Sequence, residues 1–126
     1  MRHRKRTVKL GRTSSHREAL MASLVCNLIA AKQIKTTQPK ARAARRLADK
    51  MVTLGKKNTV AARRRALSKL RNKKAVAELF NKVAPAFADR QGGYTRILKL
   101  GRRHSDSSEM VLLEWTEQPV AEKKED

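Results

Sequence analysis

Apolar residues recur at steps of three and four positions in four segments of the chain, which predicts four amphipathic helices. The first is expected to begin at Ser15, because Ser15 and Glu18 have the spacing of a capping box. The second begins around Pro39, which suits a first helical turn, and Gly55 is predicted to cap its end. The apolar positions of these two helices are Leu20, Met21, Leu24, Val25, Leu28 and Ile29, then Ala41, Ala44, Leu47, Ala48, Met51 and Leu54.

The third and fourth helices are shorter and follow closely. The segment 60–71 has an apolar stripe and is preceded by Asn58-Thr59, whose side chains suit a helix start. The segment 74–84 has a second apolar stripe, and Pro85 is expected to end or offset that helix.

Three further segments have the composition of strands. Residues 33–37 are rich in β-branched side chains, and residues 94–100 and 110–115 lie on either side of a polar loop, which predicts an antiparallel hairpin. The chain is therefore assigned to the α/β class (α+β), with about four helices packed on a small mixed three-stranded sheet. Strand 110–115 is apolar on both faces, which is compatible with burial inside the fold or with an oligomer contact.

Charge divides the 126-residue chain into three parts. Residues 1–13 hold six Lys and Arg and no acid, and we expect this basic N-terminal arm to be unstructured in isolation. Residues 14–116 are predicted to form one globular domain, and residues 117–126 an acidic disordered tail.

The net charge of +20 indicates a polyanionic partner. Residues 32–74 contribute most of it, with sixteen Lys and Arg against Asp49 alone. Arg42, Arg46 and Lys50 are spaced four residues apart, so they form one basic stripe on the second helix. Arg63 falls within the apolar stripe of the third helix. Either its stem crosses apolar surface with its head in water, or that face meets RNA at its edge.

Little in the sequence indicates catalysis. No phosphate-binding loop, nucleophile motif or metal-ligand spacing is present, and Cys26 is the only cysteine. Gly92-Gly93 is interpreted as a turn before a strand rather than a phosphate cradle. The four aromatic residues are too scattered for a row of stacked bases, so we expect binding dominated by phosphate contacts. No apolar run is long enough to span a membrane.

Four blocks, in order, resemble the bacterial ribosomal protein seventeen family of the large subunit. They are Met-Arg-His-Arg-Lys at position 1, Arg-Thr-Ser-Ser-His-Arg at 12, Ile-Lys-Thr-Thr-Gln-Pro-Lys-Ala at 34 and Gly-Gly-Tyr-Thr-Arg-Ile-Leu-Lys at 92. The resemblance covers about residues 1–116. It departs from the family pattern at Gly11 and Thr13, where asparagine is usual, at Arg65, where Leu is common, and after Asp106, where Gly is usual.

This resemblance implies a structural constituent of the ribosome without enzymatic activity, metal, cofactor or small-molecule substrate. It implies a cytoplasmic protein that binds 23S rRNA near the exit of the peptide tunnel, beside neighbouring large-subunit proteins. The residues expected to contact rRNA, from the resemblance and the basic pattern together, are Arg2, His3, Arg4, Lys5, Arg6, Lys9, Arg12, Ser14, Ser15, His16, Arg17, Lys35, Thr36, Thr37, Lys40, Arg42, Arg46, Arg63, Arg64, Arg96 and Lys99.

Two other functions fit parts of the sequence. A DNA-compacting protein needs only the positive charge, and would bind any duplex without preferring rRNA. A nuclease or RNA-modifying enzyme would need a group such as His16 or Asp106 to act as an acid or base, and no nucleophile or second acid accompanies either residue.

Overall fold

The computed structural model describes residues 14–119. The predicted arm 1–13 and residues 120–126 of the predicted tail lie outside that range, so the three-part division of the chain stays a prediction. The helices are α1 (Ser14–Ala31), α2 (Gln38–Lys57), α3 (Val60–Leu70), α4 (Lys73–Glu78) and the single-turn α5 (Ala84–Ala86), and the strands are β1 (Gln33–Thr37), β2 (Thr95–Arg102) and β3 (Glu109–Trp115).

The predicted fold class is confirmed: α1, α2, α3 and the continuous helical run from α4 to α5 lie beside a three-stranded sheet. The strand order is β1-β3-β2, and β3 pairs antiparallel with both neighbours. The sheet is thus antiparallel throughout and not mixed, because β1 runs against β3 just as β2 does in the predicted hairpin. β2 extends two residues beyond the predicted strand end, and an irregularity in its register between Lys99 and Gly101 leaves Leu100 unpaired.

The fourth predicted helix is one helical run in three parts. α4 begins at Lys73, where the Asn72 side chain accepts hydrogen bonds from the backbone N–H groups of Lys74 and Ala75. A π-helical turn, Leu79–Val83, then joins α4 to α5. Pro85 lies within this run, so it does not end the helix at the predicted position.

Two predicted helix caps are wrong. Ser14 is already helical, so Ser15 lies inside α1 instead of preceding it. Gly55 is buried inside α2, which continues to Lys57 and ends at Asn58 in the left-handed conformation (φ 48°). Gly55 serves helix packing instead, because a methyl group built on it would lie 2.6 Å from the Cβ of Ala84. At the start of α3 the prediction is confirmed, since the Thr59 hydroxyl accepts from the N–H of Ala62 at 3.1 Å.

The core lies between the helices and one face of the sheet. α2 contributes an inner face of small residues, and β3 contributes Val111, Leu113 and Trp115. The Trp115 indole N–H donates to the Leu28 carbonyl at 3.2 Å, which links β3 to α1. Phe87 meets the rings of Tyr94 and Trp115 at centroid distances of 5.2 and 6.0 Å, so three of the four aromatic residues form one cluster.

Candidate nucleic-acid interface

Four basic side chains of α2 form a row on the side of the helix that faces solvent. Ala41, Ala44 and Ala48 turn one side of the helix into the core, and at 100° per residue the opposite side carries the exposed bases. We call these four residues the α2 stripe: Arg42, Arg46, Lys50 and Lys57. The stripe spans about 22 Å along the helix at a rise of 1.5 Å per residue.

No carboxylate shares this stripe. Asp49, the one acid between residues 32 and 74, is half-buried on the side of α2 that faces β2, where it accepts from the Thr95 hydroxyl at 3.2 Å. Burial raises the pKa of Asp49, while the Thr95 hydrogen bond and the charge of Arg45 lower it. Within residues 14–119, Lys50 and Lys57 make no ion pair, so their charge is available to an external anion.

Lys57 belongs to the stripe but is not among the residues predicted from the sequence. It follows Lys50 by seven residues, which returns it to the same side of the helix. The mistaken cap at Gly55 placed Lys57 beyond the end of the helix, so the error in the helix boundary hid this residue.

Lys56, next to Lys57, has a different role. Its ammonium group donates to the Arg90 carbonyl at 2.5 Å and to the Tyr94 hydroxyl at 3.3 Å, and lies 5.4 Å from the centroid of the Tyr94 ring. These contacts tie the end of α2 to the turn before β2. Lys56 therefore stabilises the fold, whereas its neighbour faces solvent.

The arginines of α3 divide in the same way. The Arg63 guanidinium lies over the Phe80 ring at 4.9 Å and donates to the Asn58 side-chain oxygen at 3.2 Å, although Arg63 as a whole is exposed. This geometry supports the first interpretation of Arg63, in which the side chain crosses apolar surface and keeps its head in water. Arg64 is exposed and makes no such contact among the described residues.

The hairpin supplies a second basic region. Arg102, Arg103 and His104 are exposed around the loop between β2 and β3. Arg103 pairs with Asp106 at 2.6 Å, which holds the pKa of that carboxyl well below its usual range and stabilises the loop. When the Gln38 side-chain amide is oriented with its oxygen towards Arg42, that oxygen accepts a hydrogen bond from the Arg42 guanidinium at 2.8 Å. The amide nitrogen of Gln38 then donates to the carboxylate of Glu109, which is paired with Arg102 in the hairpin. The first residue of the α2 stripe is thereby brought close to the hairpin.

The remaining predicted residues are distributed over several surfaces. His16 and Ser15 are exposed in the first turn of α1, and Arg17 beside them is half-buried. Thr36 is only 8% exposed, which separates it from the exposed bases around it. Ser14 lies in α1, and three predicted residues are exposed on the strands: Lys35, Arg96 and Lys99. Two more, Thr37 and Lys40, are half-buried where β1 meets α2. The predicted residues of the arm lie outside the described range: Arg2, His3, Arg4, Lys5, Arg6, Lys9 and Arg12.

The described residues contain neither a cluster of metal ligands nor an activated cysteine. Among residues 14–119, no three His, Cys, Asp or Glu side chains are grouped as they would be around a metal ion. Burial raises the pKa of the Cys26 thiol, which lies 3.7 Å from the Leu70 carbonyl, so it is not activated as a nucleophile. No helix in the same range is long and apolar enough to cross a membrane.

Comparison with known proteins gives one consistent result. Residues 20–116 match the family model described as Ribosomal protein L17. The chain is 52% identical over 120 residues to the large ribosomal subunit protein bL17 of Methylacidiphilum infernorum, covering 95% of this chain and 92% of the relative. The proteins of the same name from Fusobacterium nucleatum and Desulforapulum autotrophicum are 46% and 53% identical over 90% of this chain and 98% and 95% of their own lengths.

Proposed function

Because the chain belongs to the ribosomal protein L17 family, and is thus a structural constituent of the large ribosomal subunit and not an enzyme, we propose that it binds 23S rRNA mainly through the α2 stripe. The single observation that carries this proposal is the acid-free row of Arg42, Arg46, Lys50 and Lys57 on the exposed side of a helix anchored in the core. In a ribosomal subunit, the rRNA phosphate groups carry the negative charge that complements this positively charged row.

A preformed stripe has a clear energetic advantage. Since α2 is held by its buried alanines, Met51 and Val52, the charges are positioned before RNA arrives, and little backbone entropy is lost on binding. Each phosphate that the stripe neutralises releases counterions, which makes the affinity fall steeply as salt rises.

The test compares two variants that each lose three positive charges. In R42Q/R46Q/K50Q the charges come from the stripe, and in K69Q/K73Q/K74Q they come from exposed positions on α3 and α4. Binding to a 23S rRNA transcript is measured across a salt series. We expect the stripe variant to flatten the log–log salt slope by between 2 and 3, at about 0.9 per phosphate contact, while the α3–α4 variant changes it by less than about 1. Equal losses in both variants would show that net charge alone drives binding.

The competing proposal of a DNA-compacting protein is tested in the same assay. An unlabelled DNA duplex of equal nucleotide content is added as competitor. If the chain acts on rRNA, the duplex displaces it only weakly. Displacement by duplex DNA and by rRNA at the same concentration would instead favour non-specific polyanion binding.

We propose further that the basic arm 1–13 contacts rRNA and that the protein lies near the exit of the peptide tunnel. The arm holds six bases without an acid, which supports coupled folding and binding on a phosphate surface. A chain beginning at Ser14 should associate with large subunits at low salt and dissociate at a lower salt concentration than the full chain. The tunnel-exit position predicts crosslinks from the protein to an emerging nascent chain, and an absence of such crosslinks in translating ribosomes would refute it.

A further inference from the structure

The sheet presents an outer face that no described element covers. Antiparallel register places Lys35, Leu112 and Leu98 in one cross-strand row, because residues directly opposite each other share a face. The next row on this face contains Thr37, Met110 and Gly101, and the row on the other side contains Gln33, Glu114 and Arg96. We call this surface the outer sheet face. The buried residues Val111, Leu113 and Trp115 alternate with it and point towards the helices.

The middle of this face is apolar and accessible to solvent. Leu98 on β2 is 43% exposed, and Leu112 and Met110 on the central strand β3 are half-buried. Clustered leucine and methionine side chains gain little from phosphate or ribose, because they neither donate hydrogen bonds nor stack on bases as aromatic rings do. A cluster of this kind in a chain with a net charge of +20 therefore indicates a protein partner rather than RNA.

The charges around the leucines restrict the partner further. Arg96 is paired with Glu114 at 2.5 Å. Lys35, in the same row as Leu112 and Leu98, is exposed and makes no ion pair with any residue from 14 to 119. A complementary surface thus carries apolar side chains opposite the leucines and a carboxylate opposite Lys35.

The dimensions favour an extended segment over a globular partner or a second copy of the chain. Three strands about 4.8 Å apart make a face roughly 10 Å wide, and the five paired residues of β1 cover about 17 Å along the strands. Such a face is far smaller than the roughly 800 Å² that each partner buries in a stable interface of standard size. In addition, β2 is an edge strand, so its outer backbone groups are available to pair with an added strand.

We propose that the outer sheet face and the free edge of β2 bind an extended segment of another large-subunit protein, in which apolar residues adjoin a carboxylate. The proposal requires the chain to be in the large subunit, and does not depend on rRNA binding by the α2 stripe. Leu98 and Leu112 supply the apolar contact, and Lys35 orients the segment.

The test uses the full chain with the photoreactive residue p-benzoyl-phenylalanine at position 98, incorporated into large subunits in place of the unlabelled protein. A second version carries it at exposed Lys35 on the same face. The control carries it at Val60, which is 67% exposed on α3. After irradiation, crosslinked peptides are identified by mass spectrometry, and circular dichroism verifies that each labelled chain is folded.

We expect positions 98 and 35 to crosslink to one segment of a single large-subunit protein, with at least one Asp or Glu within about three residues of the crosslink, and Val60 not to reach that segment. Crosslinks from position 98 to rRNA, to a second copy of this chain, or to its own residues 1–13 or 120–126 would each overturn the proposal. So would the absence of crosslinks at both positions on the face. Because R42Q/R46Q/K50Q leaves this face intact, failure of rRNA binding by the stripe would be detected separately, in the salt slope.

Discussion

Replacing Gly55 by alanine tests the packing of α2 against the helical run that includes α5. On intrinsic propensity alone, alanine in the interior of a helix is more stable than glycine by roughly 0.5–1 kcal/mol. In this fold the added methyl group would lie 2.6 Å from the Cβ of Ala84, whereas carbon atoms in contact prefer about 3.5–4.0 Å. Two helical backbones would therefore have to separate by about 1 Å.

The expected result is a net loss of stability. Overpacking a core costs typically 1–3 kcal/mol, and the upper end applies because the obstructing atom is fixed to a buried backbone at Ala84, not at the end of a flexible side chain. After the gain in helix propensity, we expect Gly55→Ala to lower the free energy of unfolding by about 2 kcal/mol. In urea unfolding with a slope of about 1–3 kcal/mol per molar, the midpoint would fall by roughly 0.7–2 M.

A double-mutant cycle separates the clash from other effects. Ala84→Gly removes the obstructing carbon, so the double variant G55A/A84G should be more stable than the sum of the two single changes predicts. Ala61→Gly, on the exposed side of α3, measures the propensity term without any core contact. If Gly55→Ala raised stability, or if the cycle showed no coupling, the close approach of the two helices would be refuted.

Four further predictions follow from local contacts. Arg63→Ala should lower stability by about 0.5–1 kcal/mol, because it removes the contact with the Phe80 ring, whereas Arg64→Ala should change it by less than about 0.5 kcal/mol; equal urea midpoints for the two variants would contradict this. Ser107 has a φ of 58°, so Ser107→Gly should raise the thermal midpoint, through a gain of about 1 kcal/mol. Because the pKa of Asp106 is depressed, its ion pair stabilises the loop at every pH above the usual carboxyl pKa, and this stabilisation is lost in acid as Asp106 takes up a proton. The NMR signal of the Ser108 amide, which donates to Asp106, should shift over that acid range. The same signal should not shift in Asp106→Asn. Asp49 should have the opposite effect on the pH dependence of stability, because burial raises its pKa and the folded chain holds the proton to higher pH than the unfolded chain does. The free energy of unfolding should therefore fall as pH rises from about 4 and Asp49 ionises. The urea midpoint of Asp49→Asn should lack this decline.

The sequence predicted the elements well because their causes are local. Periodicity located the helices, the Thr59 side chain marked the start of α3, and two apolar runs around a polar loop identified the hairpin. Gly55 was misread because glycine near a helix end usually reports a cap, whereas here its role depends on Ala84, twenty-nine residues away. Pairing of β1 with β3 joins residues more than seventy positions apart, and no local signal encodes it.

The candidate interface could be predicted in composition but not in detail. Counting bases identified residues 32–74 as the main source of positive charge. Which bases serve the fold is decided by distant partners, as Lys56 shows through its contacts with Arg90 and Tyr94. Lys57 has the same charge and the adjacent position, but points to solvent. The direction of a side chain around the helix therefore separates the proposed binding residues from the structural ones.

The two faces of α2 depend on each other. Its inner face uses alanine and glycine, so the neighbouring helices approach closely and the chain buries a core with few aromatic residues. Its outer face concentrates charge, which repels itself in the free protein and destabilises the compact state. Because anions that neutralise the stripe remove this repulsion, the proposed binding to RNA would be coupled to the stability of the fold through one helix. Added salt then has opposite effects, since it screens the repulsion within the free chain while it weakens the attraction to phosphate.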